Sequence, residues 1–180
     1  MPVYEFEGKR PQVAKSAFVY AEATLIGDVV IGEGCYIGPG AQIRGDWGGV
    51  VIGPSSNIQE NCVIHSAPDV VTRLAARSHI GHGSILHGPV LDEHVVVGMG
   101  AIIMDKVTIG SGCFIGAGAL ITAGTVIPPG RLYLGVPARD SGAVSAKMAE
   151  FLDYATSLYM ELPGRCFEGL REVALADVRI

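Results

Sequence analysis

The chain has 180 residues, of which 49% are hydrophobic and only 17% charged, with a formal net charge of −5. No Lys/Arg cluster offsets that acidic balance, which argues against a nucleic-acid surface, and no apolar run approaches the roughly 18 residues of a membrane-spanning helix. Twenty-five glycines, about twice the usual share, suit many short strands joined by tight turns.

The first ten residues, MPVYEFEGKR, contain no apolar segment of the kind a secretory signal carries. From Val13 an aliphatic residue returns every six positions, at Val19, Leu25, Ile31, Ile37 and Ile43. A second run is Ile52, Ile58 and Ile64, and a third runs from Val97 through Ile103, Ile109, Ile115 and Ile121 to Ile127. Such a period marks a solenoid. The six-residue unit fits one brief strand and a corner, as in Ile31-Gly32-Glu33-Gly34 and Ile115-Gly116-Ala117-Gly118. Three units close a triangular coil, and stacked coils pair strands at about 4.8 Å. The pattern resembles the hexapeptide-repeat proteins. The fold class this implies is mainly β: a left-handed parallel β-helix with a C-terminal α-helix.

The period breaks between Ile43 and Ile52, across Arg44-Gly45-Asp46-Trp47-Gly48-Gly49, and between Ile64 and Ile80, where 66–78 reads as irregular. A smaller slip follows Leu86. Loops in repeat arrays commonly carry function, because the coil itself is occupied with packing. The repeats end near Ile127-Pro128-Pro129-Gly130, giving a β-helix over 1–138 and a helix with its tail over 139–180. Ser141 is the expected helix start. Ala143 to Leu162 is rich in good helix formers, its apolar residues recur at helical spacing, and Pro163-Gly164 is expected to stop it. The helix should pack along the outside of the coil.

Four cysteines (Cys35, Cys62, Cys113, Cys166) form no CxxC pair, so neither a disulfide framework nor a zinc ribbon is implied. Reduced thiols in a cytoplasmic protein are the expectation.

Three histidines stand at informative repeat positions. His65 follows the inward Ile64 and His87 follows the inward Leu86, so strand alternation turns both outward. They are one 18-residue coil plus four apart. If the loop after His65 absorbs the four, the two share a face, with Arg44 on that face one coil further along. His82 is third in its unit, near a corner and turned to a different side, where a symmetric neighbour could supply it. Three imidazoles leave the fourth position of a tetrahedral ion open, the catalytic pattern. Bound Zn²⁺ brings water to a pKa of about 7, and Co²⁺ or Fe²⁺ suit imidazole as well.

The stretches Arg44-Gly45-Asp46, Asn57-Ile58-Gln59-Glu60-Asn61-Cys62-Val63-Ile64-His65 and His79-Ile80-Gly81-His82-Gly83-Ser84-Ile85-Leu86-His87-Gly88 resemble the signature of gamma-class carbonic anhydrases, nearest their PaaY/CaiE-like branch. The resemblance implies a homotrimer in which His65 and His87 of one subunit and His82 of the next bind metal, and CO2 and bicarbonate as substrates. It implies that Gln59 orients the hydroxide, that Arg44, Asp46 and Glu60 form an ion-pair network at the subunit boundary, and that Tyr159 reaches the site from the helix. His79 and His94 match no ligand position, and Cys62 reads as core.

One departure bears on rate. Active members carry proton-shuttling glutamates near the site, whereas 66–78 has no Glu and Trp47 follows Asp46. Slow hydration, rescued by buffer, is expected. The competing readings are an acyl-CoA thioesterase using the same metal, a metal-free hexapeptide acyltransferase, and a non-catalytic metal-binding accessory trimer.

Overall fold

The computed structural model describes residues 2–178; Met1 and the last two residues of the expected tail lie outside them. The chain winds as a parallel β-helix whose three faces each carry one inward ladder. The first face stacks Leu25, Ile43, Ile64, Leu86, Ile103 and Ile121 in direct register. The second stacks Val13, Ile31, Ile52, Leu74, Leu91, Ile109 and Ile127. The third runs from Val19 through Ile37, Ile58, Ile80, Val97 and Ile115 to Tyr133. Most ladder side chains are sealed from solvent, each burial contributing about 1.5–3 kcal/mol. The four cysteines are free and buried, in keeping with the reduced thiols expected.

The breaks in period are local insertions. Between Gly45 and Val50 the strand Gln42–Ile52 bulges relative to its partner Thr24–Ile31, with Gly27 opposite Gly45 and Val29 opposite Val50. The irregular piece after Ile64 is shorter than expected, because Val71–Leu74 already pairs with Gly49–Ile52 on the second face. The four-residue excess is therefore confined to 66–70. The slip after Leu86 is one shortened unit, ending at the ladder residue Leu91.

Buried hydroxyls close the 66–70 loop. Ser66 Oγ donates to the Gly49 carbonyl at 2.8 Å and accepts from the Thr72 amide at 3.2 Å. The Thr72 hydroxyl donates to the His65 carbonyl at 2.9 Å, pinning the histidine's backbone. The two insertions meet at Gly48, where a Cβ would lie 1.9 Å from the Val70 carbonyl oxygen and 2.5 Å from that of Ala67. Only glycine fits.

The C-terminal part departs from expectation at two points. Arg131–Gly135 and Ala138–Ala143 form an antiparallel hairpin, so Ser141 lies in a strand. The helix spans Ala146–Gly169, capped by Ser145, whose hydroxyl accepts from the Met148 amide at 3.2 Å. It continues through Pro163-Gly164. Proline inside a helix costs about 3 kcal/mol, and burial of Pro163 with Leu152, Thr156 and Cys166 offsets this. The helix packs on the third face, as expected of it.

Candidate functional site

The four-residue insertion brings His65 and His87 into direct register on the first face. Arg44 lies one coil further along, following Ile43, which pairs with Ile64. A line of polar groups crosses the coils here. Arg44 donates to Asp46 Oδ2 through Nη2 at 2.8 Å and Nε at 3.2 Å. Asp46 Oδ1 is 2.9 Å from His65 Nε2, and Asp105 Oδ1 is 2.6 Å from His87 Nδ1. Burial would raise the Asp46 carboxyl, but the hydrogen bonds from Arg44 and His65 outweigh it and hold it below its ordinary value.

These carboxylates fix both rings. A carboxylate accepts only, so Nε2 of His65 and Nδ1 of His87 carry the protons. In neutral rings the other two nitrogens, His65 Nδ1 and His87 Nε2, are bare lone pairs, and they face each other at 3.2 Å. Two lone pairs at that range repel unless a proton or a cation lies between them. Two ligands of one tetrahedral zinc, at 2.0–2.1 Å from it, would stand about 3.3 Å apart. The pair therefore fits a divalent ion. Asp105 is a residue that sequence reading missed; its signal was a carboxylate one coil after a histidine. The Trp47 indole, 63% exposed, covers one side of His65 at a ring separation of 6.3 Å.

His82 stands at the corner between the third and first faces, away from the pair. Its Nδ1 contacts Glu60, which also accepts from the Tyr36 hydroxyl at 3.1 Å. In a neutral ring that leaves Nε2 bare, on a side chain 45% exposed. Among the described residues no three His, Cys, Asp or Glu side chains converge as a metal cluster. Each of the three histidines nevertheless has a carboxylate on its far nitrogen, the support that metal-ligating imidazoles usually have.

The remaining expected residues divide between these places. Arg44 and Asp46 stand with the His65–His87 pair. Glu60 and Gln59 stand with His82, whose backbone N–H donates to Gln59 Oε1 at 3.2 Å. Tyr159 packs edge-on against His79 at 5.2 Å and tilted on Tyr36 at 5.7 Å, on the third face. A cavity of about 300 Å³ lies between the helix and that face, bordered by Gln59, His79, His82, Met99, Phe151 and Tyr159. Burial holds the His79 ring down to about 4, so it stays neutral. Burial also pushes the Cys62 thiol up to about 11, and Cys62 belongs to the core as expected.

Residues 10–45 and 88–123 match the family described as bacterial transferase hexapeptide (six repeats). Over 172 residues the chain is 40% identical to carnitine operon protein CaiE of Escherichia coli K12, covering 96% of this chain and 88% of that one. A crystal structure of a Bacillus cereus protein, provisionally described as an acetyltransferase, superposes with a TM-score of 0.90 at 34% identity, covering 94% of this chain and 98% of that one. A mutant perosamine N-acetyltransferase from Caulobacter crescentus, in complex with CoA and GDP-perosamine, matches at a TM-score of 0.55 and 28% identity, over 73% of this chain and 56% of that one.

Proposed function

The chain belongs to the hexapeptide-repeat family that includes carnitine operon protein CaiE, and on that premise we propose that it is a metal-dependent enzyme of the gamma carbonic anhydrase type, hydrating CO2 at the boundaries of a homotrimer. One observation carries this reading: two imidazole nitrogens, each on a ring whose opposite nitrogen meets a carboxylate, face each other at 3.2 Å. His65 and His87 of one subunit and His82 of the next would hold the ion. When bound, such an ion supplies Lewis acidity and makes a hydroxide nucleophile available near neutral pH.

The chain's own residues set the rest. Asp46 and Asp105 hold the tautomers that leave the ligating nitrogens bare. Gln59 travels with His82 to the shared site and offers its Oε1 as an acceptor for an O–H group. Arg44, half exposed, offers its remaining N–H donors to bicarbonate. The 66–70 loop carries no Glu, so proton export is expected to depend on buffer. The test is His87→Ala, for which loss of both metal content and hydration is expected; zinc retained in that variant would refute the ligand set.

A second reading is acyl transfer. The description of the matching family, and the acetyltransferase from Caulobacter crescentus, favour it. So does His87 itself, since a carboxylate on Nδ1 and a free Nε2 make a general base. Acetyl transfer from acetyl-CoA that survives EDTA would establish this reading in place of the first.

A further inference from the structure

Gln59 is 2% exposed, and its hydrogen-bond partners decide which way its amide points. A backbone N–H can only donate, so the contact from the His82 amide identifies the acceptor Oε1. The Gln59 NH2 group then faces Asn57 Oδ1 at 2.9 Å and His79 Nε2 at 2.8 Å. Both amide hydrogens are used if His79 Nε2 accepts, which puts the ring proton on Nδ1. The available acceptor for that N–H is Thr156 Oγ1, 3.4 Å away on the C-terminal helix. Asn57 Nδ2 then meets this N–H donor to donor at 3.3 Å, a looser conflict than the 2.8 Å one that the other tautomer would create at Gln59. The other tautomer would set an N–H of His79 against an N–H of Gln59 in a buried place.

We propose that His79 is a positioning residue: its unprotonated Nε2 ties down the Gln59 amide and so turns Gln59 Oε1, never its NH2, toward whatever binds beside His82. An acceptor fixed at that spot selects a ligand that brings an O–H donor, such as water, hydroxide or the protonated oxygen of bicarbonate. It disfavours a bare carbonyl or anionic oxygen there. Through Thr156 and the Tyr159 ring, the same histidine makes the helix part of the positioning. The inference rests on the reading that Gln59 serves the shared site.

The experiment compares zinc-loaded wild type with His79→Phe, His79→Asn and Gln59→Leu. Nitrogen NMR on histidine-labelled protein at neutral pH should find His79 protonated at Nδ1 in wild type and no longer locked in Gln59→Leu. In His79→Phe, kcat for CO2 hydration should fall at least tenfold with KM within about twofold and metal content unchanged, while His79→Asn recovers part of the loss. An Nε2-protonated His79 in wild type overturns the proposal. So does full kcat in His79→Phe beside a deficient Gln59→Leu. Full kcat in Gln59→Leu would instead overturn the role given to Gln59, and the ring tautomer would still decide the role of His79.

Discussion

His65 Nδ1 and His87 Nε2 face each other across adjacent coils, 3.2 Å apart. The register that permits this depends on the four residues inserted at 66–70, which turn a 22-residue separation into one coil. The arrangement needs Asp105 as much as the histidines. In Asp105→Asn the amide can donate to His87 Nδ1, which allows the proton to move to Nε2, where the ion should sit. Metal affinity should fall about 10- to 100-fold, read by competition with a chelating dye. Unchanged affinity would remove Asp105 from the site.

The 66–70 loop has no Glu to export protons. Hydration measured by stopped flow should therefore rise with buffer concentration over a wide range before it saturates. A Glu at position 67, on the loop, should lessen that dependence. A wild-type rate independent of buffer would mean another group exports the proton.

The ladders were legible in the sequence because each inward position needs an aliphatic side chain, and the outward placement of Arg44, His65 and His87 followed by alternation. Leu74 was missed although it stands six residues before Ile80: it lies ten residues, not six, after Ile64, and no corner glycine follows it. Pro163-Gly164 signalled a helix end, yet burial of Pro163 carries the helix to Gly169. The contacts of His79 with Gln59 and Thr156 span separations of 20 and 77 residues. No local pattern encodes them; they exist only once the coil stacks and the helix docks.

His79 also gives a pH signature. Its ring is held to about 4 in the folded chain, against about 6.5 unfolded. As pH falls below about 6.5 the unfolded chain takes up a proton that the folded one refuses. Stability is therefore full above that value and declines toward pH 4, by on the order of 3 kcal/mol at most. Urea unfolding at pH 7 and pH 4.5 should show this decline, and His79→Phe should lessen it. An identical decline in that variant would contradict the assignment.

Gly48 joins the two insertions. A methyl group there would overlap the Val70 and Ala67 carbonyl oxygens, forcing the 66–70 loop outward. Gly48→Ala should cost about 1–3 kcal/mol and weaken metal binding together with stability, because the loop's hydroxyls pin the His65 backbone. Thermal melts and metal content would report both. A variant as stable as wild type would show that the loop yields freely.

The central claim is that His82 of one subunit completes the His65–His87 pair of the next. Its most direct test is the metal content of His82→Ala, His87→Ala and trimers co-assembled from both. Each variant alone should lack the ion. Every mixed trimer contains one junction where an intact pair meets an intact His82, so mixing should restore metal. If His82→Ala alone keeps the wild-type metal content, or mixed trimers stay empty, the claim is contradicted.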